Sequence, residues 1–297
     1  ITEHYNTHLN AAPAYGLSIG TDAHVRIDED WVFGPERVVG AENECFQGCG
    51  LPYPTMPGDA RHEAEVIRSN LKALQMRVNW IFVGPESGMT LFPSHWDWVR
   101  RSLGRTPANA FDAWAMLRES KDSFWDGSHD AIRAAATEID WPRRPWVRNM
   151  ERWLIQRDVC EDGVARAGVA RRGDLFTDGI AYEGLRTEIA REQRALYFDV
   201  YDGFIDGGSE GIEIHVTYEH HPLQDWSLEF RHHGCTVLVA APFSAPNPAQ
   251  SVLTAVFKIP SIDFDNGLNG GTDFSLRTHG ETDLHVYFVR VVKTRAP

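Results

Sequence analysis

The sequence is poor in lysine and has no long apolar run. Lys occurs only at positions 72, 121, 258 and 293 of 297 residues, so Arg carries nearly all of the positive charge. The formal net charge of −13 argues against nucleic acid or an anionic membrane as a partner, because both select basic surfaces. No run approaches the ~20 apolar residues of a membrane helix, so we expect no membrane partner.

Several signatures of enzyme families are also missing. The sequence contains no GxSxG, HExxH, P-loop or Rossmann glycine pattern, which argues against serine hydrolases, zinc metalloproteases and nucleotide-binding enzymes. The chain opens with "ITEHYNTHLN", without an initiator Met or a signal peptide. This start predicts a processed or trimmed product, or a fragment of a longer one.

The four cysteines are few and unevenly spaced. Cys45 and Cys49 are close enough for a local bridge, whereas Cys160 and Cys235 are far apart and either pair or stay free. Because the CxxxC spacing has no second pair nearby, we do not expect a zinc site. One or two disulfides would suit an extracellular or cell-surface protein.

Tryptophan, by contrast, is abundant, with ten residues in the chain. Packing in a core accounts for most of them in one interpretation. In the other, some line a sugar-binding cleft, because the apolar face of a pyranose stacks on an aromatic ring.

Residues 1–145 alternate between strand-like and helix-like patterns. Short apolar runs at Tyr15–Ile27 and Arg37–Glu44 predict strands, and His62–Leu74 has apolar residues at helical spacing. A near-continuous apolar strand follows at Gln75–Gly84, and "SHWDWVRRSLG" then predicts a helix that Gly104 ends. Strand–helix alternation of this kind indicates an α/β fold with a parallel sheet.

The C-terminal third has a different pattern. Seven short segments between residues 195 and 297 alternate apolar and polar residues, with Gly, Pro, Asn and Asp between them. This period of two predicts an antiparallel β-sandwich. Residues 146–194 form a connecting segment in this interpretation.

The second half resembles the jelly-roll β-sandwich modules at the C-termini of many carbohydrate-active enzymes. "LYFDVYDGF", "IEIHVTYEH" and "NGGTDFSLRTHGETDLHVYFVRVVK" carry the resemblance. In such modules a long final strand pairs back near the first. The resemblance implies a carbohydrate-binding-module-like domain and a polysaccharide or oligosaccharide partner.

The first half resembles the C-terminal part of a (β/α)₈-barrel glycoside hydrolase, on the residues "GLSIGTDAHV", "VVGAENE", "MRVNWIFVGPESG" and "HWDWVRRSLG". By order, "VVGAENE" matches the seventh barrel strand and "MRVNWIFVG" the eighth. A full barrel needs ~250 residues. The resemblance therefore implies a partial barrel, completed by a second chain or by residues that were removed, or else a smaller α/β fold.

Two carboxylates follow the predicted seventh strand. The resemblance implies that Glu42 or Glu44 matches the family's nucleophile, and the dipeptide Asn43–Glu44 also fits its acid/base motif. Two residues apart on a strand, the carboxylates would share a face at ~6.5–7 Å, a spacing that glycoside hydrolysis can use. The alternative is a solvated pair, neutralised by Arg26 or Arg37.

Five further residues are candidates for substrate binding. They end the other strands of the first half: Asp22, His24, Asn79, Trp80 and Glu86. Asp22 and His24 would bind sugar hydroxyls or tune a carboxylate, or simply cap a loop, and a metal on Asp22, His24 and Glu42 lacks a known ligand spacing. Trp80 is a sugar platform or a core side chain.

No cofactor is expected, except for a structural Ca²⁺ in the sandwich. Its carboxylate ligands would be Asp199, Asp202, Asp263 and Asp265, although Asp also favours turns for other reasons. The sequence therefore predicts a secreted glycoside hydrolase. The alternative is a non-catalytic carbohydrate-binding, cell-surface or assembly protein.

Overall fold

A computed structural model gives the fold. It describes residues 40–43, 70–71, 73–75, 77–83, 93–117, 149–157, 159, 168–172, 182–205, 211–241, 252–262 and 264–294. The chain divides into two compact units. One comprises Ile1–Thr106, Glu119–Met150 and Arg172–Ala181, and the other comprises Pro107–Arg118, Glu151–Arg171 and Tyr182–Pro297.

The first unit contains a short parallel strand pair and a helix. Strand β1 (Gly40–Asn43) pairs in parallel with β2 (Trp80–Val83), with Glu42 opposite Phe82. Residues 70–71 and 73–75 are helical, and helix α1 spans Pro93–Ser102. Pro93 suits the first turn, where an N–H has no helical partner, and Gly104 ends the helix at a φ of +64°.

The second unit contains two mainly antiparallel sheets. The strands of the larger sheet are β3 (Asp112–Met116), β4 (Met150–Arg152), β6 (Gly168–Arg172), β7 (Tyr182–Arg186), β9 (Ile212–Glu219), β12 (Val252–Ile259) and β14 (His285–Lys293). Their order is β12-β9-β14-β3-β4, and in addition β7 pairs with β14 and β6 pairs with β7. The long β14 lies between β9 and β3 and pairs antiparallel with both.

The smaller sheet has five strands: β5 (Leu154–Arg157), β8 (Ala195–Val200), β10 (Trp226–His232), β11 (Cys235–Ala240) and β13 (Phe274–Thr278). Their order in the sheet is β11-β10-β13-β8-β5. The hairpin between β10 and β11 turns at His233 and Gly234, both with positive φ, as a tight two-residue turn requires.

The apolar side chains of both sheets form one core. Ile214, Val216 and Val289 come from the larger sheet, and Leu228 and Leu276 come from the smaller one. Within the core the stacked rings of Phe198 and Phe274 lie 5.0 Å apart. Two sheets that share a core in this way form a β-sandwich.

Trp153 connects the two sheets. It lies between β4 in the larger sheet and β5 in the smaller one, and its backbone has a φ of +56°. The ring is buried, and the Arg152 guanidinium lies 4.2 Å from its centroid. The burial of this aromatic side chain stabilises a backbone conformation that a bulky residue rarely adopts.

The structure confirms the predicted sandwich. Each of the seven alternating segments is a strand, β8 to β14, and the antiparallel pairings are those of a sandwich. The sheets also start earlier than residue 195, because β3, β4, β5 and β7 belong to them. The segment "NAFDAWAMLRES" supplies β3, with Ala113 and Ala115 in the core.

The structure does not support the predicted α/β barrel. The parallel pair of β1 with β2 is short, and helices are few among the described residues. The strands from β3 onward pair mainly antiparallel instead. In the described part of the chain, no helix is long and apolar enough to cross a membrane.

Candidate functional site

One side of the five-stranded sheet carries most of its polar side chains, and the other side faces the core. Strand alternation places Trp226, Leu228 and Phe230 in the core, so the intervening residues of β10 point outward. The register of the neighbouring strands extends this surface, because residues directly opposite one another share a face. We call it the polar face: Arg157, Tyr197, Asp199, Ser227, Glu229, Arg231, Ser275 and Arg277.

A hydrogen-bonded network crosses three strands at the centre of the polar face. Glu229 Oε2 accepts hydrogen bonds from Ser275 Oγ (2.8 Å) and from Arg277 Nε (2.8 Å). Arg277 also donates through Nη2 to the Tyr197 hydroxyl at 3.2 Å. Ser275 is 0% and Tyr197 3% exposed, so the network is held firmly in place. Both of these bonds to Glu229 end on the same oxygen, Oε2.

Polar contacts continue towards both ends of the face. Arg157 forms an ion pair with Asp199 on the neighbouring strand. Ser227 Oγ and His279 Nε2 lie 2.7 Å apart, so the hydroxyl and the ring share a hydrogen bond. Carboxylate, guanidinium, hydroxyl and imidazole groups therefore lie side by side on this face, and the three hydroxyl residues Tyr197, Ser227 and Ser275 are buried.

Arg231 connects the face to the loop between β12 and β13. Its guanidinium donates to the Gly267 carbonyl (3.2 Å) in that loop and to the Gly234 carbonyl (3.0 Å) in the β10–β11 turn. A side chain of the sheet thereby fixes the position of two loop segments at one edge of the polar face.

A buried carboxylate holds the same loop from the other side. Asp273 accepts hydrogen bonds from the backbone N–H groups of Val200 (2.8 Å) and Asn266 (3.0 Å). The Asn266 amide donates in turn to Asp202 at 3.3 Å. Burial raises the pKa of Asp273 to about 7, against the lowering effect of its two backbone donors, and the charges of Asp199 and Asp202 also raise it.

The outer side of the larger sheet is polar as well, but its contacts are arranged differently. Glu213 Oε2 lies 2.9 Å from His215 Nε2, and Glu213 Oε1 lies 3.8 Å from Lys258 Nζ. The hydrogen bond from His215 lowers the pKa of Glu213. Arg290 pairs with Asp112 at 2.5 Å. The Lys258 side chain is 80% exposed, whereas the acid and base at the centre of the polar face are mostly buried.

Most of the predicted site residues lie outside the described part of the chain. This holds for Asp22, His24, Glu44 and Glu86. Of Glu42 the structure gives the backbone, in β1 opposite Phe82. The catalytic role of Glu42 and Glu44 and the substrate-binding roles of all five candidates stay predictions.

Two predicted substrate-binding residues have described side chains. Trp80 begins β2 and is 45% exposed, so it is not a core residue, and Asn79 before it is half-buried. In α1, Trp96 is buried, as the core-packing interpretation of the tryptophans predicts for most of them. The His95 ring accepts from the Asn70 amide (2.9 Å), and burial lowers the pKa of His95 to about 4, so the ring is neutral.

The calcium prediction concerns four acids of the sandwich. Within the described residues, no three His, Cys, Asp or Glu side chains are arranged to hold a metal ion. Asp199 pairs with Arg157, and Asp202 accepts from Asn266. Asp263 lies outside the described residues, so the calcium site stays a prediction.

Cys235 is an exposed free thiol, and the other three cysteines lie outside the described residues.

Apart from Asp199, a calcium candidate, the residues of the polar face were not among the sequence candidates. The alternation in "DWSLEFRHH" and "TDFSLRTHG" shows that Ser227, Glu229, Ser275 and Arg277 leave the core side of their strands. It does not show that β10 and β13 are neighbours, because 46 residues separate Glu229 from Ser275. The sequence shows the alternation within each strand, but it does not show which strands pair.

Comparison with known proteins gives remote similarities. The chain is similar to the C-terminal CBM6 of LamC, a marine laminarinase from Zobellia galactanivorans, at 14% identity over 47% of this chain and 99% of that one, with a TM-score of 0.27. It is also similar to carbohydrate-binding module CBM6cm-2 of Cellvibrio mixtus lichenase 5A in complex with cellotriose. There the identity is 14%, the coverage 47% and 97%, and the TM-score 0.23.

The other two comparisons gave no match. No family model matches the chain, and neither does any curated protein. Since both TM-scores are low, the function of the sandwich has to follow from its own side chains.

Proposed function

We propose that the β-sandwich binds a carbohydrate, either an oligosaccharide or a segment of a polysaccharide, on its polar face. The observation that carries the proposal is the network of Glu229, Ser275, Arg277 and Tyr197 across three adjacent strands. Sugars present closely spaced hydroxyls that both donate and accept hydrogen bonds. A row of fixed carboxylate, guanidinium and hydroxyl groups is complementary to them.

The rigidity of the network favours binding. Ordering a flexible side chain on association costs ~0.5–1.5 kcal/mol. Arg277 is already oriented by Glu229 and Tyr197 before a ligand arrives, and Glu229 by Ser275 and Arg277. The network therefore loses little side-chain entropy when a ligand binds. Negatively charged polymers are poor candidates, because the chain carries a net charge of −13.

A matched pair of glutamates tests the proposal. Glu229 lies on the polar face, and Glu213 lies on the outer side of the other sheet, where it contacts His215. Both substitutions, Glu229→Gln and Glu213→Gln, remove one charge from a strand and keep the side-chain shape. We expect Glu229→Gln to weaken binding at least tenfold, which corresponds to about 1.4 kcal/mol, and Glu213→Gln to leave it unchanged.

The assay is affinity gel electrophoresis of the full chain on a panel of soluble polysaccharides, followed by calorimetry with oligosaccharides of the retained polymer. Circular dichroism checks that both variants keep the wild-type fold. The proposal is wrong if no polysaccharide in the panel retards the protein. It is also wrong if the two substitutions weaken binding equally.

A further inference from the structure

Among the described strands, β11 forms one edge of the five-stranded sheet, with β10 on its paired side. Most of its side chains are exposed, including two large apolar ones, Leu238 at 55% and Val239 at 37%. The strand Cys235–Ala240 contains no charged residue and no Pro. Edge strands are normally protected by such residues, because an unprotected edge pairs readily with another strand.

The hydrogen bonds of β11 show which backbone groups face outward. Ala241 N–H donates to the Trp226 carbonyl on β10 at 3.0 Å. Since the direction of the backbone groups alternates along an antiparallel strand, those of Thr236, Leu238 and Ala240 point away from β10. Three successive outward positions therefore offer N–H and C=O groups along this edge.

We propose that β11 pairs antiparallel with β11 of a second copy of this chain, around a two-fold axis at Leu238. Residue 238 is the midpoint of 235–241, so this register gives the longest possible pairing of the two strands. Leu238 then lies opposite its own copy, and Thr236 lies opposite Ala240. The outward N–H and C=O groups of these residues bond across the axis.

The same register accounts for the two valines of the strand. Val237 packs against the edge of the core, and Val239 lies on the same side of the strand. Around the axis at Leu238, Val237 lies opposite Val239 of the second copy, and each covers the other. The core of one sandwich thereby continues into the next, which an unrelated strand with polar residues at these positions would not achieve.

The chemistry of the strand favours a second copy over a charged partner. Two uncharged strands meet without repulsion, even though each chain carries a net charge of −13. An isologous contact uses the same strand of both copies, so pairing covers the β11 edge of each. It therefore gives a closed dimer and not a fibre. Stable interfaces bury at least ~1,200 Å². Since one pair of short strands buries less area than this, we expect a dimer that dissociates on dilution.

Sedimentation velocity of the full chain over a range of concentrations tests the pairing. We expect the wild type to dimerise reversibly, and Leu238→Lys to remain monomeric because the substituted side chains would face each other at the axis. Leu223→Lys is the matched control, since Leu223 is exposed in a turn outside β11. A wild type that is monomeric at every concentration overturns the proposal, as does an equal effect of both substitutions.

Cross-linking tests the register. In a Cys235→Ser background, Leu238→Cys should give a covalent dimer with a short bifunctional thiol reagent, because cross-strand Cβ atoms lie ~4.5–5.5 Å apart. Thr236→Cys should not, because the two copies of residue 236 would be displaced by four residues, ~14 Å along the strands. Equal cross-linking at both positions, or none above the Cys235→Ser background at residue 238, contradicts this register.

Discussion

Replacement of Asp273 by Asn should change how the stability of the sandwich depends on pH. Asp273 is 2% exposed, and burial raises its pKa from 3.8 to about 7. The folded protein therefore holds a proton on this carboxyl at pH values where the unfolded chain has released it. Between about pH 4 and pH 7, the contribution of Asp273 to stability falls as the pH rises.

The magnitude follows from the pKa values. One unit of pKa difference corresponds to ~1.4 kcal/mol, so the change from 3.8 to about 7 amounts to about 4 kcal/mol over the whole range. Within a practical range of about pH 5 to pH 7, wild type should lose about 2 kcal/mol relative to Asp273→Asn. The amide does not titrate. It can accept from only one of Val200 and Asn266, which adds a pH-independent cost of ~1–3 kcal/mol.

The assay is urea unfolding of both proteins at several pH values, followed by the β-sheet signal in circular dichroism. The difference in the free energy of unfolding, wild type minus variant, should fall from about pH 5 to pH 7 and level off above about pH 8. Parallel stability curves for the two proteins would show that Asp273 does not titrate in this range. They would refute the conclusion that burial raises the pKa of this carboxyl.

Three further substitutions test the packing of the sandwich by chemical denaturation. Gly184→Ala should cost about 1–3 kcal/mol, because a Cβ atom would lie 2.6 Å from the Val286 carbonyl oxygen and β7 would have to move from β14; unchanged stability would show that the two strands are not so close. Phe198→Ala should cost ~3–5 kcal/mol through the cavity left beside Phe274, and a cost below about 1 kcal/mol would contradict its central place in the core. Asp283→Ala should cost ~1–3 kcal/mol, because the carboxylate accepts from Thr187 Oγ1 and from the Ile189 N–H, and Asp283→Asn should recover part of the loss.

The strands of the sandwich could be predicted because each has its own alternation of apolar and polar residues. In β9, for example, Ile212, Ile214, Val216 and Tyr218 are buried, and the residues between them are not. A period of two is visible in the sequence without any knowledge of the neighbouring strands. The predicted helix at "SHWDWVRRSLG" and its end at Gly104 also follow from local rules.

The limits of the sandwich could not be predicted in the same way. β3 reads "DAWAM", and its two alanines give no strong preference for strand over helix. It is a strand because β14 lies beside it, although β14 comes much later in the chain, with Arg290 bonded to Asp112. Likewise, Trp153 connects the two sheets through a backbone conformation with positive φ. The sequence patterns indicate only a connecting segment at this position.

The candidate site was missed for a related reason. Local patterns drew attention to acids where apolar runs end, as at Glu42, and to aromatic residues such as Trp80. The polar face depends on which strands are neighbours, since Glu229 on β10 meets Ser275 and Arg277 on β13. Such contacts between distant segments are fixed by register, which a single sequence does not show.

The most direct test of glycan binding by the polar face is hydrogen exchange, measured by mass spectrometry with and without a saturating oligosaccharide of the polymer that retards the protein. Slower exchange in peptides that cover β10, β13 and the loop at Gly267 is the predicted result. Protection confined to β9 and β12, or to the region around Trp80, would place the ligand elsewhere and contradict glycan binding by this face.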